Sequence, residues 1–347
     1  MTKVGIIGST GYAGQQLLWL LSRHPEAEIV FLSSHNYSDK MYNSVYESYL
    51  EIRRDVCIDN KYAEELLPEI DVLFLAMPAG ESFKIVRKAL SLGVRVIDIG
   101  SDYRLDSADD YESWYGIKHE YSDILSEAVY GMPELNREKI RKASIIANPG
   151  CFPTAAILGL APLVKSGIIN TSSIIIDAKS GVSGAGRSAS IGNIFTEVNE
   201  NFKAYKVGNH RHTPEIEQEL SKLAGFKFNL TFTPHLVPMN RGILSTIYGN
   251  LKNQVSEDED EIFNIYKEFY KDEPFIRIKK DMPETRWVKG SNFCDISFKI
   301  DKRTSRIIVI SAIDNLMKGA AGTAVHNMNL MFGFDEKTGI DMIPIFP

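Results

Sequence analysis

In Lys3-Val4-Gly5-Ile6-Ile7-Gly8-Ser9-Thr10-Gly11-Tyr12-Ala13-Gly14 a short apolar run breaks into glycines spaced by three. Lys3 to Ile7 reads as a strand. Gln15 to Arg23 reads as a helix, with Leu17, Leu18, Leu20 and Leu21 apolar, and Glu28 to Leu32 as the next strand. Strand, glycine turn, helix, strand is a βαβ unit with a phosphate-binding turn. Glycines let the backbone approach a pyrophosphate, and the helix N-terminus stabilises its charge. The spacing is G-x-x-G-x-x-G, a variant of the G-x-G-x-x-G fingerprint. Gly8, Ser9, Thr10, Gly11, Tyr12, Ala13 and Gly14 are thus the candidate contacts to a bound dinucleotide.

The alternation of strand and helix continues outward from this unit. Asp71 to Ala76 is a strand, Glu81 to Leu92 a helix and Val94 to Ile99 a strand. Ligands of an open parallel sheet bind beyond the carboxyl ends of its strands. That draws in Met77-Pro78-Ala79-Gly80, with Pro78 a cofactor candidate, and Gly100 to Arg104, with Arg104 a candidate anion clamp. The second strand ends in Ser33-Ser34-His35-Asn36, without the carboxylate that usually holds an NAD ribose. Small donors such as Ser33 and Ser34 accommodate a 2′-phosphate, so NADP (as NADPH) is the expected cofactor. The tyrosine-bearing stretch from Asn36 to Asp55 carries no motif that assigns it a role.

Asn148-Pro149-Gly150-Cys151-Phe152-Pro153-Thr154 is the second informative stretch. Ser144 to Ala147 before it reads as a strand, and Ala155 to Val164 after it as a helix. Pro153 sits where a helix begins, because its missing N–H would be unpaired there anyway. Cys151 therefore lies at or just before a helix N-terminus, a setting that favours a nucleophilic thiolate. The plainer reading is a small buried cysteine. Beyond it the texture becomes strand-rich: Ser173 to Lys179, Phe228 to Val237, Ile243 to Gly249, Phe275 to Lys279, Asn292 to Ile300 and Arg306 to Ile313. Glu257 to Lys271 is a charged helix whose acidic start, Glu257 to Glu261, is a solvated end. Leu316 to Phe332 is the final helix. Ser180-Gly181-Val182-Ser183-Gly184-Ala185-Gly186-Arg187-Ser188 is a loop able to cradle an anion, with Arg187 adding charge, or merely flexible.

In His210-Arg211-His212-Thr213-Pro214-Glu215-Ile216, Thr213 can cap a helix with Pro214 at its first position. Ile216, Leu220 and Leu223 would line its buried face. A histidine near a nucleophilic cysteine can take its proton and return it. Either residue alone could equally be a polar-loop histidine. No third ligand stands nearby, so no metal site is expected.

The chain has 347 residues, net charge −6 and no basic block, so neither composition nor charge points to a nucleic acid. No apolar run approaches a membrane span, and few cysteines, none in a close pair, with no signal peptide evident lead to the expectation of a cytoplasmic location. Three readings compete. A cysteine hydrolase needs no dinucleotide fold. A redox sensor needs no helix-positioned cysteine with a histidine. An enzyme that forms a thioester and reduces it with hydride needs both, and an acyl-phosphate substrate would also explain the arginines.

The motifs above, together with Pro234-His235-Leu236-Val237-Pro238-Met239-Asn240-Arg241-Gly242 and Asn315-Leu316-Met317-Lys318-Gly319-Ala320-Ala321-Gly322, resemble the N-acetyl-gamma-glutamyl-phosphate reductase family. They run from the first strand to the last helix. The family is related to aspartate-semialdehyde dehydrogenase. The resemblance implies an α/β protein: a Rossmann-like NADP-binding domain over 1–148 completed by a C-terminal helix segment 315–347. An α+β catalytic and oligomerisation domain with a mostly antiparallel or mixed sheet would span 149–314. It implies reduction of N-acetylglutamyl 5-phosphate in arginine biosynthesis, with a homodimer or homotetramer as the assembly. Relatives that reduce carrier-bound aminoadipyl phosphate or aspartyl phosphate share the chemistry. Cys151 and His212 would then be catalytic, and Arg104, Ser183, Arg187 and His210 substrate-binding. Ser180, Gly181, Gly184, Asn315, Lys318 and Gly319 would join the cofactor contacts.

Overall fold

The computed structural model describes residues 1–252 and 258–346. The chain divides into two compact units, Met1–Pro149 with Ala320–Asp341, and Gly150–Gly319 with the tail from Met342. The segment expected to complete the first unit is thus shorter than 315–347. Asn315 to Gly319 and the tail belong with the second unit, and Pro347 lies outside the described residues.

The first unit is built on six strands: β1 (Thr2–Ile7), β2 (Ala27–Ser33), β3 (Val72–Leu75), β4 (Arg95–Asp98), β5 (Val129–Tyr130) and β6 (Ile145–Ala147). All pair in parallel, in the order β2-β1-β3-β4-β6-β5. β3 and β6 are buried at every position, as strands covered on both faces must be. The order reverses direction at β1, which is the switch point where such sheets bind ligands. β5 has only two residues and gives too short a pattern to read from sequence. Helices Tyr12–Leu21, Phe83–Ser91 and Pro133–Ile140 connect the strands, and Gly322–Phe332 returns to this unit. That last helix is tied to the unit by His24 Nε2 and Asn329 Oδ1, 2.9 Å apart, and by the pair of Arg137 and Glu336 in the turn beyond it, at 2.9 Å.

The second unit carries a seven-stranded mixed sheet, ordered β11-β12-β13-β10-β7-β9-β8. Its strands are β7 (Ile175–Gly181), β8 (Lys203–Ala204), β9 (Thr231–Val237), β10 (Ile243–Asn250), β11 (Ile276–Ile278), β12 (Cys294–Asp301) and β13 (Arg306–Ile313). β7–β9 and β11–β12 are parallel and the other pairs antiparallel. The helix Cys151–Lys165 packs on this sheet, so closely that a Cβ at Gly159 would stand 3.0 Å from Ile247 Cδ1. Helices Thr213–Ala224 and Glu259–Phe269 flank it. Of the expected charged helix, Glu257 lies outside the described residues. Among the described residues no helix is long and apolar enough to cross a membrane.

Pro162 lies inside the Cys151–Lys165 helix and cannot donate to Leu158 four residues back. The Leu158 carbonyl instead accepts the Tyr270 hydroxyl at 2.6 Å, and the next carbonyl, Gly159, accepts Tyr266 at 2.6 Å. Tyr270, at the C-terminal end of the Glu259–Phe269 helix, thus replaces the bond that the proline cannot make, and Tyr266 ties the same turn to that helix. Burial pushes the Tyr266 hydroxyl pKa far up, so it remains a donor.

Candidate functional site

The phosphate-type turn follows β1. Gly8 has φ +80°, and a Cβ there would lie 2.3 Å from the Ala76 carbonyl oxygen. A Cβ on Gly14 would lie 2.2 Å from the Gly8 carbonyl oxygen, so only glycine closes this turn. The helix starts at Tyr12 rather than Gln15, capped by Gly11 with no side-chain hydrogen bond. Tyr12, Ala13 and Gly14 are therefore its first turn, with backbone N–H groups at a helix N-terminus rather than in a loop. This cradle fits a pyrophosphate.

Ser33 and Ser34 close the other side of the turn, but not as expected. The Ser33 carbonyl accepts Gly8 N–H at 3.1 Å and Ser9 N–H at 3.0 Å. Its hydroxyl donates to Asn60 Oδ1 at 2.5 Å, while Ser34 Oγ lies 2.6 Å from Thr10 Oγ1. Both side chains are buried and engaged within the unit, while His35 and Asn36 at this strand end are exposed.

Pro78 is exposed beyond β3. Next to it, Gly80 N–H donates to Asp102 Oδ1 at 2.8 Å, and Asp102 also accepts the Ser82 hydroxyl at 2.7 Å and the Tyr111 hydroxyl at 2.6 Å. Arg104, expected as an anion clamp, is buried, with Nε on the Asn148 carbonyl at 2.9 Å and Nη2 on the Ile99 carbonyl at 2.8 Å. Two of its donors hold the loops at the ends of β4 and β6. Asp98, fully buried at the end of β4, has its carboxyl pushed up to about 7 by burial and by the charge of Asp102, against the pull of Arg104.

In the second unit Cys151 is the first residue of its helix, capped by Gly150 with no side-chain hydrogen bond, and is partly exposed. Pro153 is the third helical residue rather than the first. Gly150 N–H donates to Glu215 Oε1 at 2.8 Å. A Cβ at Gly319 would meet Cys151 Cβ at 2.9 Å. Gly319 sits in the wide turn Met317–Ala321, where a continuous helix from Leu316 was expected; the regular helix begins only at Gly322.

The Thr213–Ala224 helix is capped by His212, not Thr213, which is its first residue with Pro214 second. Ile216 and Leu220 are fully buried, and so is Glu215; Glu219 is nearly so. The rings of His210 and His212 lie 4.8 Å apart, and Phe152, next to Cys151, meets them edge-on at 5.8 and 6.0 Å. His210 Nδ1 accepts His212 N–H at 3.1 Å, which leaves its neutral ring protonated on Nε2. Burial, then Lys206 and Arg211, push its pKa down to about 4. Tyr205 packs on His210 at 5.4 Å, and its hydroxyl pKa is raised by burial and by the charge of Cys151. One wall of this unit thus gathers Cys151, two histidines, a tyrosine and Glu215.

The Ser180–Arg187 loop is partly fixed. Ser180 is the penultimate residue of β7 and buried, its hydroxyl on the Gly181 carbonyl at 3.0 Å. Gly181 lets the backbone of Asn240 and Arg241 pass, with a Cβ position 2.7 Å from the Asn240 carbonyl oxygen. Ser183 donates to that carbonyl at 2.6 Å and accepts Asn315 Nδ2 at 2.9 Å. Asn315 Oδ1 accepts Gly242 N–H at 2.8 Å. Gly184 is exposed and Arg187 half-buried. Lys318 is fully buried, its Nζ 5.7 Å from the Phe275 ring centre.

Sequence reading missed Glu215, Asp102, Asp314 and Tyr205. Asp314 is buried and accepts Leu316 N–H and Gly290 N–H, setting the turn that carries Gly319. Glu215 left one trace, an acid in register with the apolar stripe of its helix.

Such a fold and cysteine wall define the semialdehyde dehydrogenase class of oxidoreductase. Residues 3–143 match the family model described as semialdehyde dehydrogenase, NAD binding domain, and residues 151–315 match its dimerisation domain. Among solved structures, aspartate semialdehyde dehydrogenase II of Vibrio cholerae superposes with a TM-score of 0.72 at 20% identity, over 96% of this chain and 98% of that one. The Candida albicans aspartate semialdehyde dehydrogenase with NADP gives 0.73 at 19%, over 96% and 98%. The N-acetyl-gamma-glutamyl-phosphate reductase of Clostridium novyi (strain NT) is 53% identical over 99% of both chains. That of Lachnoclostridium phytofermentans is 54% identical over 100% of both. The chain belongs to the N-acetyl-gamma-glutamyl-phosphate reductase family.

Proposed function

We propose that this protein reduces N-acetyl-L-glutamyl 5-phosphate to N-acetyl-L-glutamate 5-semialdehyde and phosphate, as a step of arginine biosynthesis, using NADPH. The observation that carries the reading is Cys151 as the first residue of its helix, with the ring of the adjoining Phe152 packed on both His210 and His212. His212 takes the thiol proton. Cys151 Sγ then forms a bond to the acyl carbon, and the carbon–oxygen bond to phosphate breaks. His212 passes its proton to the departing phosphate, which Arg187 and the N–H groups of the Ser183 loop neutralise. Arg104 holds the adjoining loops and contributes positive potential. NADPH, when held on the Gly8–Gly14 turn, would supply the hydride that reduces the thioester carbon. The resulting oxyanion lies at the Cys151 backbone N–H and is met by His210 Nε2–H. Its collapse breaks the carbon–sulfur bond, releasing aldehyde and thiolate.

The cofactor would lie on the Gly8–Gly14 turn, beside the Ser33–Ser34 backbone and Pro78; Ser180, Gly181, Gly184, Asn315 and Gly319 are the contacts proposed from the second unit. The absence of a carboxylate after β2 supports NADP over NAD. The domain described as a dimerisation domain in relatives supports a homodimer or homotetramer, and a small-molecule substrate and a cytoplasmic setting accompany this reading. The test is the reverse reaction: NADPH formation from N-acetylglutamate semialdehyde, NADP and phosphate, with aspartate semialdehyde in parallel. Phosphate-dependent turnover of the acetylated substrate supports the reading; turnover of aspartate semialdehyde alone overturns it.

A further inference from the structure

The stretch that sequence left without a role, Asn36 to Asp55, holds the phosphate-type turn in shape. It contains a short helix, Tyr42–Val45, and a single turn, Glu47–Tyr49. The Tyr42 hydroxyl donates to the Ser9 carbonyl at 3.0 Å, and the Tyr46 hydroxyl donates to the Thr10 carbonyl at 2.9 Å. Their rings stack with centres 5.6 Å apart. Tyr49 meets Tyr42 edge-on at 5.3 Å, but its hydroxyl accepts from the Gln15 side chain at 3.3 Å and touches no turn carbonyl. The segment is fastened below by Tyr42 N–H on the Asp55 carbonyl at 2.8 Å and by the Arg53–Asp55 ion pair at 2.7 Å.

In a planar trans peptide the carbonyl and the N–H of one plane point in opposite directions. A grip on the Ser9 carbonyl therefore fixes where Thr10 N–H points, and a grip on the Thr10 carbonyl fixes Gly11 N–H. The latter closes the turn onto the Gly8 carbonyl at 3.1 Å. The two tyrosine hydroxyls restrict rotation of both planes. We infer that Tyr42 and Tyr46 are positioning residues that preorganise the backbone N–H groups of the turn for the cofactor's pyrophosphate. The inference rests on the dinucleotide reading of the turn.

The experiment is an NADPH fluorescence titration of the full chain carrying Tyr46→Phe, which is half-buried and keeps its ring. Loss of one aligning hydrogen bond should raise the NADPH dissociation constant roughly five- to tenfold. The KM for acyl phosphate and the melting temperature of the ligand-free protein should stay near wild type. Tyr42→Phe should act in the same direction, and Tyr49→Phe should bind NADPH as wild type does. Wild-type affinity in Tyr46→Phe, or an equal loss in Tyr49→Phe, overturns the inference. Wild-type protein that takes up neither NADPH nor NADH overturns the dinucleotide reading, and the inference with it.

Discussion

At Gly319 a missing methyl group leaves room for Cys151. A Cβ there would come within 2.9 Å of Cys151 Cβ, and the cysteine begins a helix packed against a sheet. Gly319→Ala should therefore displace the thiol, lowering kcat by up to about a hundredfold, while overpacking costs about 1–3 kcal/mol of stability. Urea unfolding and steady-state rates on the same preparation separate the two effects. Cys151→Ser should remove at least about a thousandfold of the reductase rate with the fold intact by circular dichroism; a retained rate would rule out the thioester. Cys151 and the histidines were legible because proline and glycine punctuate them in sequence. Glu215 was not, since an acid in a charged helix looks solvated until its carboxylate is found under Gly150 N–H. Nor were the inward turns of Ser33 and Ser34, which depend on Asn60 and Thr10 folding back from elsewhere.

At the scale of elements, the helix that carries Cys151 was expected from Ala155 to Val164 and runs from Cys151 to Lys165. Its internal proline is tolerated because another element supplies the missing donor. Tyr270→Phe leaves the Leu158 carbonyl without that hydroxyl and should cost about 1–3 kcal/mol. In a Pro162→Ala background the new N–H can reach the same carbonyl, so the tyrosine change should cost less. A double-mutant cycle by urea denaturation measures this coupling; strict additivity would show that the two groups do not serve one carbonyl. Such compensation joins residues 108 positions apart in number, from Pro162 to Tyr270, and no local pattern announces it. The parallel strands were readable for the opposite reason, being continuous apolar runs bounded by turn residues. The wide turn Met317–Ala321 hid inside a helical pattern because its composition is helical.

At the scale of the whole molecule, the titrating groups differ between the units. Burial first, then nearby Lys206 and Arg211, hold His210 in the second unit at about 4, below its ordinary 6.5. The unfolded chain takes up that proton first. Its contribution is therefore complete above pH 6.5 and lost as pH falls through 4. In the first unit burial opposes the charge of Glu336, but hydrogen bonds from His326 and Arg137 outweigh it and bring its pKa to about 2, below an ordinary 4.5. That contribution is complete above pH 4.5 and lost as pH falls through 2. Asp98 acts oppositely: held at about 7 instead of 3.8, its contribution is present below 3.8 and lost as pH rises through 7. Relative to wild type, His210→Gln should flatten the fall in urea midpoint between pH 6.5 and 4, and Glu336→Gln should flatten it only below 4.5. Curves parallel to wild type in both variants would contradict these assignments.

The first unit is closed by a segment synthesised only after most of the second unit. Its sheet is complete by Ala147, yet Asn329 and Glu336, the partners of His24 and Arg137, belong to a segment that begins at Ala320. At roughly 5–20 residues per second, synthesis leaves the nascent sheet without that helix for about 10–40 s. The second unit is made within that interval. A chain released early, before Ala320, would carry an apolar face made for Gly322–Phe332 and nothing of its own to cover it.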